Sequence, residues 1–273
     1  MMTVPEIFEY QFFQNALLAS VLTALVCGIL GAYIVVRRIV FVSGGITHAS
    51  FAGLGLGVFL GQNPIIMAGA TAILAALGLG RLSRDRLMRE DSAIAGIWAL
   101  GMAIGILFLS LTPGYASGLS SYLFGNILLV GQLDLYALAG FSTILIALFL
   151  LYHRPIVYSM FDADFAITRG LPAHFWNALL LIMVAIGLVL SIRLVGIMLL
   201  MSLLTVPQTI MMFFTADFRR IILGSTAIGL VANVVGLLLS YYVISIPSGV
   251  SIVLVLFVLL AFAHGMRWLR GHV

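Results

Sequence analysis

Long apolar runs alternate with short polar breaks along this chain, and the length of the runs sets its class. Apolar segments fall at 12–36, 39–62, 64–80, 93–112, 133–152, 174–192, 195–214, 221–243 and 247–266. A helix needs roughly 20 apolar residues to cross about 30 Å of hydrocarbon, so each run reads as one crossing. The pattern predicts an all-α, polytopic transmembrane helix bundle of about nine spans. The second and third spans are the least regular, because glycine is frequent and only Gln62–Asn63–Pro64 separates them.

The breaks orient the bundle, since short cytoplasmic loops collect arginine and lysine. Arg37 and Arg38 follow the first run, and Arg81, Arg84, Arg86 and Arg89 lie between the third and fourth. Arg154 and Arg169 lie between the fifth and sixth, Arg219 and Arg220 after the seventh, and Arg267 and Arg270 after the ninth. Nine crossings put all of these on one side and only Arg193 on the other. The N-terminus is then expected outside and the C-terminus inside. No short-period repeat, low-complexity tract or linker interrupts the pattern, so 1–273 reads as a single transmembrane domain.

Composition narrows the function classes. The chain is 63% hydrophobic and 8% charged, with a mean hydropathy of +1.23; a soluble domain carries about 25% charged residues. Every basic residue is arginine. A phosphate-binding P-loop uses a lysine to reach the nucleotide phosphates, which excludes a conventional P-loop ATPase. Any ATP-driven motor must be another polypeptide. Cys27 is the only cysteine, so an intrachain disulfide is excluded. Glu6 and Glu9 precede any basic residue, unlike the positive start of a signal peptide. Apolar helices suit a bacterial cytoplasmic (inner) membrane rather than an outer-membrane barrel.

Small residues crowd the second run at Ala49, Ala52, Gly53, Gly55, Gly57 and Gly61, and Gly101 and Gly105 repeat the four-residue spacing in the fourth. That spacing lets helix backbones approach closely in lipid, either within the bundle or at a seam between two copies.

The stretch from His153 to Ala173 is the longest inward-facing polar segment. Asp162 or Asp164 can cap a helix there. Phe165, Ala166 and Ile167 continue it, and Gly170 followed by Pro172 supplies a stop. It reads as a short amphipathic helix parallel to the membrane, either an ordinary interfacial loop or a docking element for a cytoplasmic partner.

His48 lies about ten residues beyond Arg38, which at about 1.5 Å per residue is near mid-membrane. Ionisable groups at that depth face a bundle interior or a cavity. Imidazole suits zinc, iron, nickel and copper. Ser43, Thr47 and Ser50 flank it. The plainer reading is a histidine that hydrogen-bonds a neighbouring helix. Gln208, beside Pro207 in the seventh run, and Asn233 in the eighth are the other polar groups at depth. They are read as helix–helix ties or as path-lining groups. Asp134 is read as a helix cap, and His153, His174, His264 and His272 as interfacial. No HExxH, GxSxG or paired intramembrane carboxylate occurs, which disfavours a membrane hydrolase and an electrochemically coupled carrier.

In order along the chain, FVSGGITHASFAGLGLG (41–57), EDSAIAGI (90–97), YLFGNILLV (122–130), FDADFAITRGLP (161–172), LVGIMLLMSLLTVPQTIM (194–211) and LLSYYVISIPSGVSIVL (238–254) resemble the permease subunits of zinc, manganese and iron ABC importers. The resemblance covers roughly residues 12–265. It implies an all-helical half-transporter that pairs with a second copy and contacts membrane lipid. Cytoplasmic ABC ATPase subunits would bind below, and an extracytoplasmic metal-binding protein would deliver from outside. No nucleic-acid partner and no permanent cofactor are expected; the divalent metal is cargo and ATP sits on the partner. Asp164, Ala166 and Gly170 match the family's coupling segment (161–172), and His48 matches its metal-path histidine, a transient ligand. Similar proteins commonly carry Asp where Gly44, Asn126 and Ser245 stand here, so this path is less anionic.

The function expected is therefore a transport subunit, not an enzyme, working by alternating access. A permease for a larger chelate such as haem or a siderophore is the first alternative, and a non-transporting membrane assembly protein the second.

Overall fold

The computed structural model describes residues 9–82, 90–112, 125, 127, 130–242 and 247–270. Arg84, Arg86, Arg89, Asn126, Ser245 and His272 lie outside them. Eleven α-helices run through the described residues: α1 (Gln11–Val36), α2 (Val40–Phe59), α3 (Pro64–Leu82), α4 (Glu90–Ser110), α5 (Gln132–Leu151), α6 (His153–Phe161), α7 (Ala163–Thr168), α8 (Ala173–Leu203), α9 (Val206–Met212), α10 (Phe218–Tyr242) and α11 (Ser248–Arg270). No strand occurs among the described residues.

Eight stretches are helical, long and apolar enough to cross a membrane: Gln11–Val36, Val40–Phe59, Asp91–Ser110, Gln132–Leu151, Ala173–Ile192, Leu194–Met212, Phe218–Tyr242 and Ser248–Leu269. Each coincides with one of the expected apolar runs. The remaining run also folds as an apolar helix, but a shorter one, Pro64–Gly80. At about 1.5 Å per residue it reaches roughly 25 Å. The protein is thus an all-α polytopic helix bundle.

Two spans meet inside α8, where Gly196 takes a non-helical conformation (φ 76, ψ 165). That region is open essentially to glycine alone. Gly125, also at positive φ, abuts this point so closely that its missing side chain leaves room for the Val195 backbone. Two of the stretches that carry the family resemblance are brought together there.

The seventh run breaks just before Pro207. Leu204 and Thr205 form a turn, and Pro207 sits in the first turn of α9, where its missing N–H has no helical partner to lose. The polar stretch 153–173 divides in two, because Asp162 adopts extended backbone (φ −147, ψ 97) between α6 and α7.

The chain divides into two compact units. One comprises Met1–Val36, Ser120–Ser142 and Ser191–Val273; the other comprises Arg37–Leu119 and Thr143–Leu190. In the first, α1 is tied to later helices by amide side chains described below. In the second, α2 packs on α3 and α4 through its glycines. A β-carbon added at Gly53 would stand 2.8 Å from the Met67 carbonyl carbon, and one at Gly57 would stand 2.8 Å from Pro64 Cα. One at Gly55 would stand 2.9 Å from Gly105 Cα. Packing within this chain accounts for Gly53, Gly55, Gly57, Gly101 and Gly105, while nothing lies within 4 Å of a β-carbon at Gly61.

Candidate functional site

The polar face of α2 is built around His48. Its flanking hydroxyls turn back onto their own helix. Ser43 Oγ donates to the Val40 carbonyl at 2.7 Å, Thr47 Oγ1 to the Ser43 carbonyl at 2.8 Å, and Ser50 Oγ to the Thr47 carbonyl at 2.6 Å. Such back-bonding satisfies the donor without a partner helix and leaves oxygen lone pairs free. Ser43, Thr47 and Ser50 are all buried, as is Gly44.

His48 is different. It is 8% exposed, and its Nδ1 is buried with no hydrogen-bond partner. A buried polar atom left unpaired is costly and calls for a reason. The plainer reading of His48, a hydrogen bond to a neighbouring helix, is not what the structure shows at Nδ1. Instead the imidazole stacks on Trp98 of α4, with ring centroids 4.3 Å apart and planes 18° from parallel. Gly101, one turn further along α4, holds the two helices together: a β-carbon there would stand 2.5 Å from the His48 carbonyl oxygen. Trp98 was not legible as a site residue. The signal was present in Gly101 and Gly105, since positions 98, 101 and 105 share one helical face.

Gln208 and Asn233 belong to the other compact unit. Gln208 Nε2 donates to the Cys27 carbonyl of α1 at 2.8 Å and to the Leu203 carbonyl at 3.2 Å. Leu203 is the last residue of α8, so its carbonyl has lost its helical donor at the break between α8 and α9. Asn233 Nδ2 donates to the Ser20 carbonyl at 3.0 Å. Both amides tie helices together, and both keep a buried carbonyl oxygen (Gln208 Oε1, Asn233 Oδ1) without a partner. Among the described residues, no three of His, Cys, Asp and Glu gather to hold a metal ion.

The segment 161–172 is shaped by local chemistry. Asp162 Oδ1 accepts from the Phe165 amide at 2.8 Å and caps α7, so the cap is Asp162 and not Asp164. At the other end the Leu171 amide donates to the Ala166 carbonyl at 2.9 Å and the Gly170 amide to Ile167 at 2.9 Å. Gly170 has φ +73, the left-handed residue expected at such a helix end. Ala166 is fully buried, while Asp164, Phe165, Ile167 and Gly170 are exposed. Behind this helix, Arg37 Nη1 donates to Asn177 Oδ1 at 2.8 Å and to the Ser159 carbonyl at 3.4 Å. Arg37 marked only the topology in the sequence; the structure makes it a clasp between α6 and α8.

Residues 9–266 match the family model described as ABC 3 transport family. An uncharacterized membrane protein of Synechocystis is 38% identical over 247 residues, covering 90% of this chain and 88% of that protein. The manganese transport system membrane protein MntC of Halalkalibacterium halodurans is 29% identical over 258 residues, covering 94% of this chain and 88% of that one. A solved structure, PsaBC from Streptococcus pneumoniae in complex with Fab, superposes with a TM-score of 0.86 at 25% identity, covering 95% of this chain and 93% of that chain.

Proposed function

The chain belongs to the ABC 3 transport family, and from that premise we propose that it carries a divalent transition metal ion inward past His48. It is a multi-pass membrane permease subunit of a metal-type ABC importer, of the bacterial inner-membrane kind, and has no catalytic role of its own. Hydrolysis of ATP belongs to separate cytoplasmic subunits. The observation that carries the metal path is the buried imidazole of His48, whose Nδ1 has no protein partner. A transient ligand of this sort suits transport, because tight binding would block release.

The finer reading has several parts. The short apolar helix Pro64–Gly80 completes nine spans, which sets the termini on opposite faces, N outside and C inside; the arginine distribution supports this. The whole chain acts as one permease domain, since each compact unit draws on separated stretches of sequence. Two copies alternate between inward and outward access. Ser43, Thr47, Ser50, Gln208 and Asn233 line the route or support the helices that do. Asp164, Ala166 and Gly170 belong to the element that meets the ATPase, and an extracytoplasmic metal-binding protein supplies the ion. The manganese system of the Halalkalibacterium relative supports manganese as cargo, and imidazole chemistry supports zinc and iron.

Uptake of radiolabelled zinc, manganese and iron into proteoliposomes holding this chain, its ATPase and its binding protein tests the reading. ATP-dependent uptake of one metal is expected, abolished by His48→Ala and by Gly170→Trp with the complex still assembled. Nothing lies within 4 Å of a β-carbon at Gly170, so the tryptophan's bulk is felt by the partner, while the left-handed backbone strain is shared by Gly170→Ala, which serves as the control. No uptake of any metal ion by the assembled complex would redirect the reading to a chelate. Uptake undisturbed by His48→Ala would discard the site.

A further inference from the structure

We propose that Trp98 is the positioning residue for His48: its indole holds the imidazole plane by stacking, and the ring leaves that stack when it engages a cation. The inference rests on the metal-path reading above and adds the device that sets how the ligand is presented.

The geometry favours a clamp over a chance contact. The two rings lie 4.3 Å apart and 18° from parallel, a face-to-face arrangement that restricts rotation about the histidine's second side-chain torsion. No hydrogen bond competes for that role, since Nδ1 is buried without a partner. Among the described residues the stack on Trp98 is the ring contact that selects its plane. The backbones of α2 and α4 are pressed together at Gly101 and at Gly55–Gly105. Trp98, on the same face of α4 as Gly101, therefore has His48 as an enforced neighbour. Trp98 itself is 37% exposed, so it is not locked on every side.

A metal ion binds in the plane of the imidazole, along a nitrogen lone pair. With the ring held flat on the indole, only directions within that one plane are offered. Nδ1 is buried in the stacked position, so any reorientation short of a half-turn that presents it to an ion tilts the ring off the indole. The indole thus separates a parked state of His48 from an engaged one, and the size and flatness of residue 98 govern the balance between them.

The test uses the full chain in lipid nanodiscs. Diethyl pyrocarbonate acylates an accessible imidazole nitrogen, and peptide mass spectrometry reads His48 separately from the other histidines. His48 is expected to label slowly in the wild type, at least about fivefold faster in Trp98→Ala and Trp98→Leu, and within about twofold of wild type in Trp98→Phe, which keeps a flat ring. Equal rates in wild type and Trp98→Leu overturn the proposal, as does fast labelling in Trp98→Phe. Where the alanine variant fails to fold, a second measurement leaves Trp98 intact. In a Trp176→Phe/Trp268→Phe chain, Trp98 is the only tryptophan, and a contacting imidazole quenches it. His48→Leu is expected to raise its emission at least about 1.5-fold, and ZnCl2 or MnCl2 to raise it only while His48 is present. Emission unchanged by His48→Leu overturns the stack, and emission unmoved by either salt overturns its release. Metal uptake by His48→Ala, measured separately, reports on the path reading, so the two failures are distinguishable.

Discussion

The side-chain amide of Gln208 bridges two carbonyls at once, donating to Cys27 of α1 at 2.8 Å and to Leu203 at 3.2 Å. The second carbonyl belongs to the last residue of α8 and is left without a helical donor by the break before α9, so one glutamine both repairs that break in its own chain and ties it to α1. Gly31 permits the approach: a β-carbon there would stand 2.7 Å from the Gln208 amide carbon. Gln208→Leu, of similar volume, is expected to destabilise the folded chain by about 0.6–2 kcal/mol, the range of interhelical hydrogen bonds in membranes. Reversible unfolding in mixed detergent measures this. Lost uptake with unchanged stability would instead identify Gln208 as a path group.

Close approach of α2 and α4 makes a sharper stability test. Gly101→Val sets a β-carbon 2.5 Å from the His48 carbonyl oxygen, and overpacking of this kind costs about 1–3 kcal/mol. Gly96, on the same helix, has nothing within 4 Å of its missing side chain. Gly96→Ala is therefore expected to leave the melting temperature unchanged or slightly raised, while Gly101→Val lowers it.

Removal of the Asp162 cap is expected to act locally. Asp162→Ala leaves the Phe165 amide without its acceptor at 2.8 Å, a loss of about 1 kcal/mol from α7. Amide hydrogen exchange should speed up over 163–168 with the spans unaffected. If this helix is the docking element, affinity for the ATPase falls with it; unchanged affinity would argue for a plain interfacial loop.

Arg37 offers a test of transmission behind that helix. Its bond to Asn177 is charge-assisted and joins residues 140 apart in sequence. Arg37→Ala and Asn177→Ala should each lower stability, by roughly 1.5–3 kcal/mol on the scale of hydrogen bonds to charged groups. The double variant should lose no more than the larger single loss. Additive losses in the double-mutant cycle would mean the contact contributes nothing.

Much of this was legible in the chain because hydrocarbon imposes a simple rule. A segment that crosses must be apolar over about 20 residues and must satisfy its own backbone, so spans read as runs. Eight of the nine expected runs became long apolar helices, and the ninth, Pro64–Gly80, became a shorter one. Asp162 or Asp164 at one end, and Gly170 with Pro172 at the other, announced the ends of α7 by local chemistry that acts within a few residues; the structure chose Asp162. His48 was visible as the one histidine near the middle of an apolar run.

What the tertiary structure alone decided is who meets whom. Helical period assigns a residue to a face, but the neighbour of that face comes from a segment far away in sequence. Thus Ser43, Thr47 and Ser50 looked equivalent to His48, yet their hydroxyls close onto α2 itself and only the imidazole is left with an unpaired nitrogen. Gln208 and Asn233 were equally ambiguous until α1 supplied the carbonyls they bind. Trp98 shared a helical face with Gly101 and Gly105, but its partner could not be read from that face. Its place over His48 follows from glycines that bring two backbones into contact, and that contact exists only once the helices have packed.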